Sequence, residues 1–169
     1  MIQTLVQRAA QKDAESFIRL MEEYKQPMQK VAYGFFQNEE DVADAIQQTV
    51  LDAYEHIGEL KKAAYFKTWL IRILINNCNQ LYNSKKQVFT GLEAVEQTYF
   101  DAYPCDNAFF SLLSTLHKED RTIFVLYYAQ GYTTKEIGKM LGIKESTIRS
   151  RIHRGKEQIR KKMLREEWA

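Results

Sequence analysis

The segment from Thr133 to Arg151 constrains the fold of this chain more than any other. Thr133 is placed to cap a helix, and Glu136 three residues later completes a capping box. Ile137 and Leu141 fall four apart on one face. Gly138 leaves room for a second helix to cross closely, and Gly142 supplies the left-handed residue that stops the first. Ile143, Ile148 and Ile152 can close a small core, while the polar face of the second helix carries Glu145, Ser146, Thr147, Arg149, Ser150, Arg151 and Arg154. Two short helices around a tight glycine turn, the second crowded with cations, form the layout of a helix-turn-helix whose second helix enters a DNA major groove. A plain helical hairpin with a solvated basic face would explain the cations alone. The agreement of cap, small residue, turn and spacing favours duplex DNA.

Charge is distributed in the same sense. Residues 1–85 hold ten Lys/Arg against eleven Asp/Glu, residues 86–106 one against four, and residues 107–169 thirteen against seven. Within 144–165 the balance is nine cations to two anions, the electrostatic footprint of a nucleic-acid contact on an otherwise near-neutral chain. Other chemistries find little support. Cys78 and Cys105 lack CxxC pairing and His56, His117 and His153 are scattered, so no zinc site is expected and the thiols read as structural or incidental ones in a reducing compartment. The carboxylates cluster at helix starts and no histidine has an acid at a useful spacing, so neither an enzyme, a cofactor, nor a small-molecule substrate is expected. Met1 to Leu5 lacks the character of a signal peptide, and the longest apolar run, Ile123 to Ala129, is too short to span a membrane. A cytoplasmic protein is expected, with no further domain after Trp168.

Periodicity is helical almost throughout, and the two prolines interrupt it little. Phe17, Leu20, Met21, Tyr24, Met28, Val31 and Phe35 predict a helix over about 13–36, with Pro27 set to bend or break it. Asn38 is the cap of the next helix, with Glu39, Glu40 and Asp41 in its first turn and Val42, Ala45, Ile46, Val50 and Ala53 as its core face; Gly58 ends it. A third helix follows over about 62–83. Residues 85–106 lose the amphipathic pattern and turn acidic, the composition of a linker, with short helical turns conceivable around Leu92 to Val95. Phe110, Leu113, Leu116, Ile123, Phe124, Leu126 and Tyr127 supply the cores of two more helices, the second ending at Gly131. The expected fold is all-α: two small helical domains, 1–84 and 107–169, joined by a flexible linker over 85–106, the C-terminal one a helix-turn-helix.

A second segment interleaves cations and rings. Lys61 and Lys62 precede Tyr65, Trp69, Arg72 and Asn76, which lie three and four apart and form one stripe; Phe66, Leu70 and Ile73 form the neighbouring buried stripe, which Asn77 ends. Rings that stack on bases beside cations that meet phosphates suit unpaired DNA. An aromatic stripe at this spacing equally suits a core.

Together these motifs resemble the bacterial RNA polymerase sigma factors of the extracytoplasmic-function (ECF) subfamily. The likeness is carried by Asn38 to Tyr54, by Phe66-Lys67-Thr68-Trp69-Leu70 with Arg72, Ile73 and Asn76, by Leu116 to Gly131, and by Gly142 to Gly155. It covers nearly the whole chain. The resemblance implies docking of the 38–55 helix on the clamp helices of the largest polymerase subunit, with Asp41, Asp44, Gln47, Gln48 and Leu51 as contacts. It implies that Lys61, Lys62, Tyr65, Trp69, Arg72 and Asn76 engage the promoter −10 element as it melts. The recognition helix would read the −35 element, with Arg149, Ser150 and Arg154 on bases or phosphates, Arg151 and Lys156 on phosphates, and Glu145, Ser146 and Thr147 also among the DNA-binding residues. Implied partners are core RNA polymerase, including the flap of its second largest subunit, promoter DNA, and an anti-sigma factor that could hold the protein at the membrane. The run of arginines, with an acidic residue before it, that often ends the family's −10 helix is replaced here by Asn79 to Lys86, and the proline after the Leu116 position is absent. A free-standing helix-turn-helix regulator binding operator DNA is the alternative; it leaves residues 38–77 without a purpose.

Overall fold

The computed structural model describes residues 1–88 and 107–168. Every regular element among them is helical, in two compact units. One takes residues 1–32 and 38–88; the other takes 33–37 and 107–168. The expected turns around Leu92 to Val95, and most of the expected linker, lie outside the described residues.

The first unit is built from four helices. The shortest, α1 (Ile2–Ala10), is not among the elements expected from the sequence; it buries Val6 and Ala9 and ends in a turn where Lys12 adopts φ 66°. The next, α2 (Ala14–Phe35), runs as one helix with Pro27 inside it. The helical bond that proline forfeits, in a change costing roughly 3 kcal/mol in an isolated helix, is offset by the flanking residues: Met28 and Val31 are fully buried. In α3 (Glu39–His56) the Asn38 side chain accepts from the Asp41 backbone N–H at 2.8 Å, as its cap position predicts. Its buried face is Val42, Ala45, Thr49 and Ala53, with Ile46 and Val50 only half-buried. A threonine takes the interior place because its hydroxyl donates to the Ala45 carbonyl at 2.7 Å.

Before α4 (Phe66–Val88) stands a short 3-10 turn, Ala63–Tyr65. The helix starts later and ends later than the pattern predicts, running through 85–88, which composition had assigned to the linker. Lys85 explains the extension: its ammonium bonds the Asp41 carboxylate, fastening the last turn of α4 to the first turn of α3. Lysines at 85 and 86 also suit the negative end of a helix.

The second unit contains α5 (Asn107–Leu113), α6 (Lys118–Phe124), α7 (Thr134–Leu141) and α8 (Glu145–Trp168). Phe110, Leu113, Leu116, Ile123, Leu126, Ile137 and Ile148 form its interior. After α6 the chain widens into a π-helical turn, Val125–Ala129, where the Gln130 N–H bonds the Val125 carbonyl five residues back. The wide turn shifts the helical phase. Val125 and Leu126 point inward, whereas Tyr127, expected in the core, is exposed.

Candidate nucleic-acid interface

The helix-turn-helix forms as its local chemistry dictates. The Thr133 hydroxyl accepts from the Glu136 N–H at 3.1 Å and the Glu136 carboxylate accepts from the Thr133 N–H at 2.8 Å, a complete capping box. Gly142 sits at φ 67°, ψ 33°, the left-handed stop. The Ile143 N–H donates to the Gly138 carbonyl at 2.9 Å, and a β-carbon on Gly138 would lie 2.7 Å from the Ile143 carbonyl oxygen, so only glycine admits this turn. Ile137, Ile148 and Ile152 are buried beneath it; Leu141 and Ile143 are half-buried.

One oxygen of Glu145 accepts from both Thr134, at 2.9 Å, and Arg149, at 2.7 Å. It thereby joins α7 to the first turn of α8. The Arg149 guanidinium, and secondarily the Thr134 hydroxyl, hold the Glu145 carboxyl below its usual value. Beyond this clamp, Arg149, Ser150, His153 and Arg154 line a shallow depression on the outer face of α8, and Ser146 is exposed beside them. His153 is not among the contacts expected from the sequence, although its place four residues after Arg149 puts it on that face.

The other expected −35 residues are placed differently. Arg151 is turned toward α6, 3.4 Å from the Glu119 carboxylate and 3.5 Å from that of Asp120, so it braces the recognition helix on its own domain. Thr147 is half-buried, and Lys156 lies with its ammonium 5.9 Å above the Tyr128 ring. Lys156 and Arg160 edge an apolar groove lined by Leu112, Phe124, Ile159, Met163 and Leu164.

On the first unit the aromatic stripe splits as its position on α4 requires. Phe66, Leu70 and Leu74 are fully buried, while Ile73, expected with them, is half-buried. Tyr65 is 60% exposed, in the turn before the helix, with the Lys62 ammonium 5.8 Å from its ring. Trp69 is half-buried, its ring 5.8 Å from that of Phe66; Arg72, Asn76, Lys61 and Lys62 are exposed. Tyr65, Arg72 and Asn76 are thus exposed, and Trp69 between them leans on the buried Phe66 ring.

Four of the five expected docking residues on α3, namely Asp44, Gln47, Gln48 and Leu51, are exposed, Leu51 at 59%. Asp41 is not. Its carboxylate is buried between the Asn38 amide, at 2.8 Å, and the Lys85 ammonium, so it holds two helix ends together instead of facing a partner. Tyr54, one turn beyond Leu51, adds a partly exposed ring that Phe17 and Lys12 hold in place, with the Lys12 ammonium 4.8 Å from the ring centre. Among the described residues there is no group of three His, Cys, Asp or Glu side chains that could hold a metal ion, and no helix long and apolar enough to cross a membrane.

These features define a class: an all-helical nucleic-acid-binding protein with a helix-turn-helix in one unit and an aromatic–basic face on the other. Comparison with known proteins narrows it. The family described as Sigma-70 region 2 matches residues 20–87, and that described as Sigma-70, region 4 matches residues 106–159. The chain is similar to the ECF RNA polymerase sigma factor SigW of Bacillus subtilis, at 27% identity over 96% of this chain and 97% of the relative. It is also similar to the ECF RNA polymerase sigma factor SigM of Mycobacterium tuberculosis, at 27% identity over 87% and 76%. Two solved structures share the fold. One is CnrH in complex with the cytosolic domain of CnrY, with TM-score 0.70, 22% identity and 96% of each chain covered. The other is the sigma factor RpoE of Bartonella quintana with the anti-sigma factor NepR, with TM-score 0.71, 17% identity and 88% and 96% covered. The chain belongs to the sigma-70 family of RNA polymerase sigma factors, in its extracytoplasmic-function branch.

Proposed function

We propose that this sigma factor performs no chemistry of its own and supplies core RNA polymerase with two-point promoter recognition. The supporting observation is that one chain carries two differently built DNA faces. The basic outer face of α8, with Arg149, Ser150, His153 and Arg154, suits duplex major groove at a −35 element. The face of Tyr65, Trp69, Arg72 and Asn76, with Lys61 and Lys62 before it, suits bases leaving the stack at a −10 element. A free-standing operator-binding regulator needs only the first of these.

Docking on the polymerase falls to Asp44, Gln47, Gln48 and Leu51 on α3, against the clamp helices of the largest subunit. The apolar groove edged by Lys156 and Arg160, where Met163 and Leu164 are 47% exposed, suits the flap of the second largest. Tethering by polymerase raises the effective concentration of α8 at the −35 site, so its own affinity for DNA can be modest. In the resting cell an anti-sigma factor covers these faces, at the cytoplasmic side of the membrane or free in the cytoplasm; CnrH and RpoE, which share the fold, were each solved with a protein bound.

The test is to mix the purified chain with core polymerase and template upstream regions of the genes whose transcripts rise when the chain is overproduced. Co-purification and specific initiation are expected. Tight binding of those regions by the chain alone, with no polymerase association, would overturn the reading in favour of a free-standing regulator.

A further inference from the structure

Between the docking helix α3 and the promoter-facing helix α4 lies a polar cluster that apolar packing does not require. The Asn77 side-chain amide, on the buried side of α4, donates to the Asp52 carboxylate at 2.9 Å and to the Thr49 hydroxyl at 3.1 Å. Thr49 is fully buried and its hydroxyl donates in turn to the Ala45 carbonyl. The other Asp52 oxygen accepts from the Gln48 side chain at 2.9 Å, so the cluster reaches the surface among the proposed polymerase contacts. Asn77 follows directly on Asn76, one of the promoter-facing residues. Since an ionised carboxylate can only accept, the atom Asn77 turns toward Asp52 must be its NH2, and the orientation is unique.

Apolar contacts between two helices tolerate some rotation and sliding, whereas a directional hydrogen bond between fixed positions does not. A rotation of α4 that kept Leu70 and Leu74 buried would still break the bonds of Asn77. We infer that Asn77 is a positioning residue for strand opening: through Asp52 and Thr49 it fixes the rotational setting of α4 on α3, and so the direction in which Tyr65, Trp69, Arg72 and Asn76 meet the −10 DNA. This rests on the promoter-opening role proposed above and adds the device that aims it.

The experiment uses the full chain with core polymerase on a promoter drawn from its overexpression transcripts. Opening is read as permanganate reactivity of unpaired thymines, with core binding and thermal melting measured in parallel. Asn77→Asp sets two carboxylates against each other and should reduce opening at least tenfold. The double variant Asn77→Asp, Asp52→Asn restores the pair with donor and acceptor exchanged and should recover most of it. Asn77→Leu, which fills the space without the bonds, should keep core binding and the melting temperature within a few degrees while still opening poorly. Opening by Asn77→Leu equal to that of the native chain would overturn the inference, as would a double variant no better than Asn77→Asp. Failure of the native chain itself to open any such promoter would instead overturn the sigma-factor role.

Discussion

Gly138 and Ile143 meet backbone to backbone: the Ile143 N–H donates to the Gly138 carbonyl at 2.9 Å, and the Ile143 carbonyl stands 2.7 Å from where a β-carbon on Gly138 would be. The obstacle is main chain, so it cannot swing aside as a side-chain tip would. Gly138→Ala should therefore destabilise the second unit by about 1–3 kcal/mol despite alanine's better helix propensity, and weaken −35 binding with it. Chemical denaturation monitored by circular dichroism, beside a −35 duplex titration, checks both.

Asp41 is tied into the fold and Leu51 is exposed on the same helix, so the two separate a structural role from the proposed docking role. Asp41→Ala strands the Lys85 ammonium and the Asn38 amide and should cost about 1–2 kcal/mol, a figure held down by the partial exposure of Lys85. Leu51→Ala removes an exposed side chain and should change stability by less than about 0.5 kcal/mol. Affinity for core polymerase should respond in the opposite order, falling for Leu51→Ala in a binding titration.

Glu145 gives the recognition helix a defined acid response. Its carboxyl is held below the usual value, so the stabilisation it provides is intact above pH 4.5 and disappears as the pH falls through the lowered folded value. Glu145→Gln should flatten the part of the curve of melting temperature against pH that lies below 4.5 and leave the rest unchanged. Thr134→Val, which removes one of the two donors, should give an intermediate curve.

Arginines on α8 should divide by where they point. Arg149→Ala and Arg154→Ala should cost roughly 1–3 kcal/mol at particular −35 base pairs if they read bases, and a uniform loss over all sequences would reassign them to phosphates. Arg151→Ala should lower the melting temperature as well as binding, because it releases Glu119 and Asp120. Affinity measured over a panel of −35 variants distinguishes these outcomes.

Tyr65 offers the cleaner test of the aromatic face, being more exposed than Trp69. Tyr65→Ala should leave stability within about 0.5 kcal/mol and impair opening by the worth of one stacked base, about 1–3 kcal/mol. Trp69→Ala should impair opening more than −35 binding but also lower the melting point, since its ring leans on Phe66. Permanganate footprinting beside a duplex-binding assay measures both.

What could be read from the sequence follows the range of the interactions involved. The capping box at Thr133, the stop at Gly142, the cap at Asn38 and the outward stripe from Tyr65 to Asn76 depend on residues within a turn or two of each other, so spacing suffices. Asp41 was expected to dock because the resemblance implies it; one of the two groups that occupy it, Asn38, is a neighbour in sequence, but the other, Lys85, is 44 residues away. The same holds for Arg151, whose acidic partners belong to α6, and for Thr49, whose burial depends on hydrogen bonds that apolar patterning ignores. Tyr127 was misplaced because the π-turn departs from the 3.6-residue period on which the pattern rests. Helix α1 is only nine residues long and held by packing, too short to announce itself.

The last helix has a mechanical consequence. At 24 residues, α8 is a single rod about 36 Å long, with Arg149 near one end and Met163 near the other. A tilt imposed at the groove end is carried to the Arg149 end, as along a lever. With −35 DNA at Arg149 and a polymerase segment at Met163 and Leu164, as proposed above, the two partners must agree on one orientation, and one that seats the rod askew would silence a promoter without touching a single base contact.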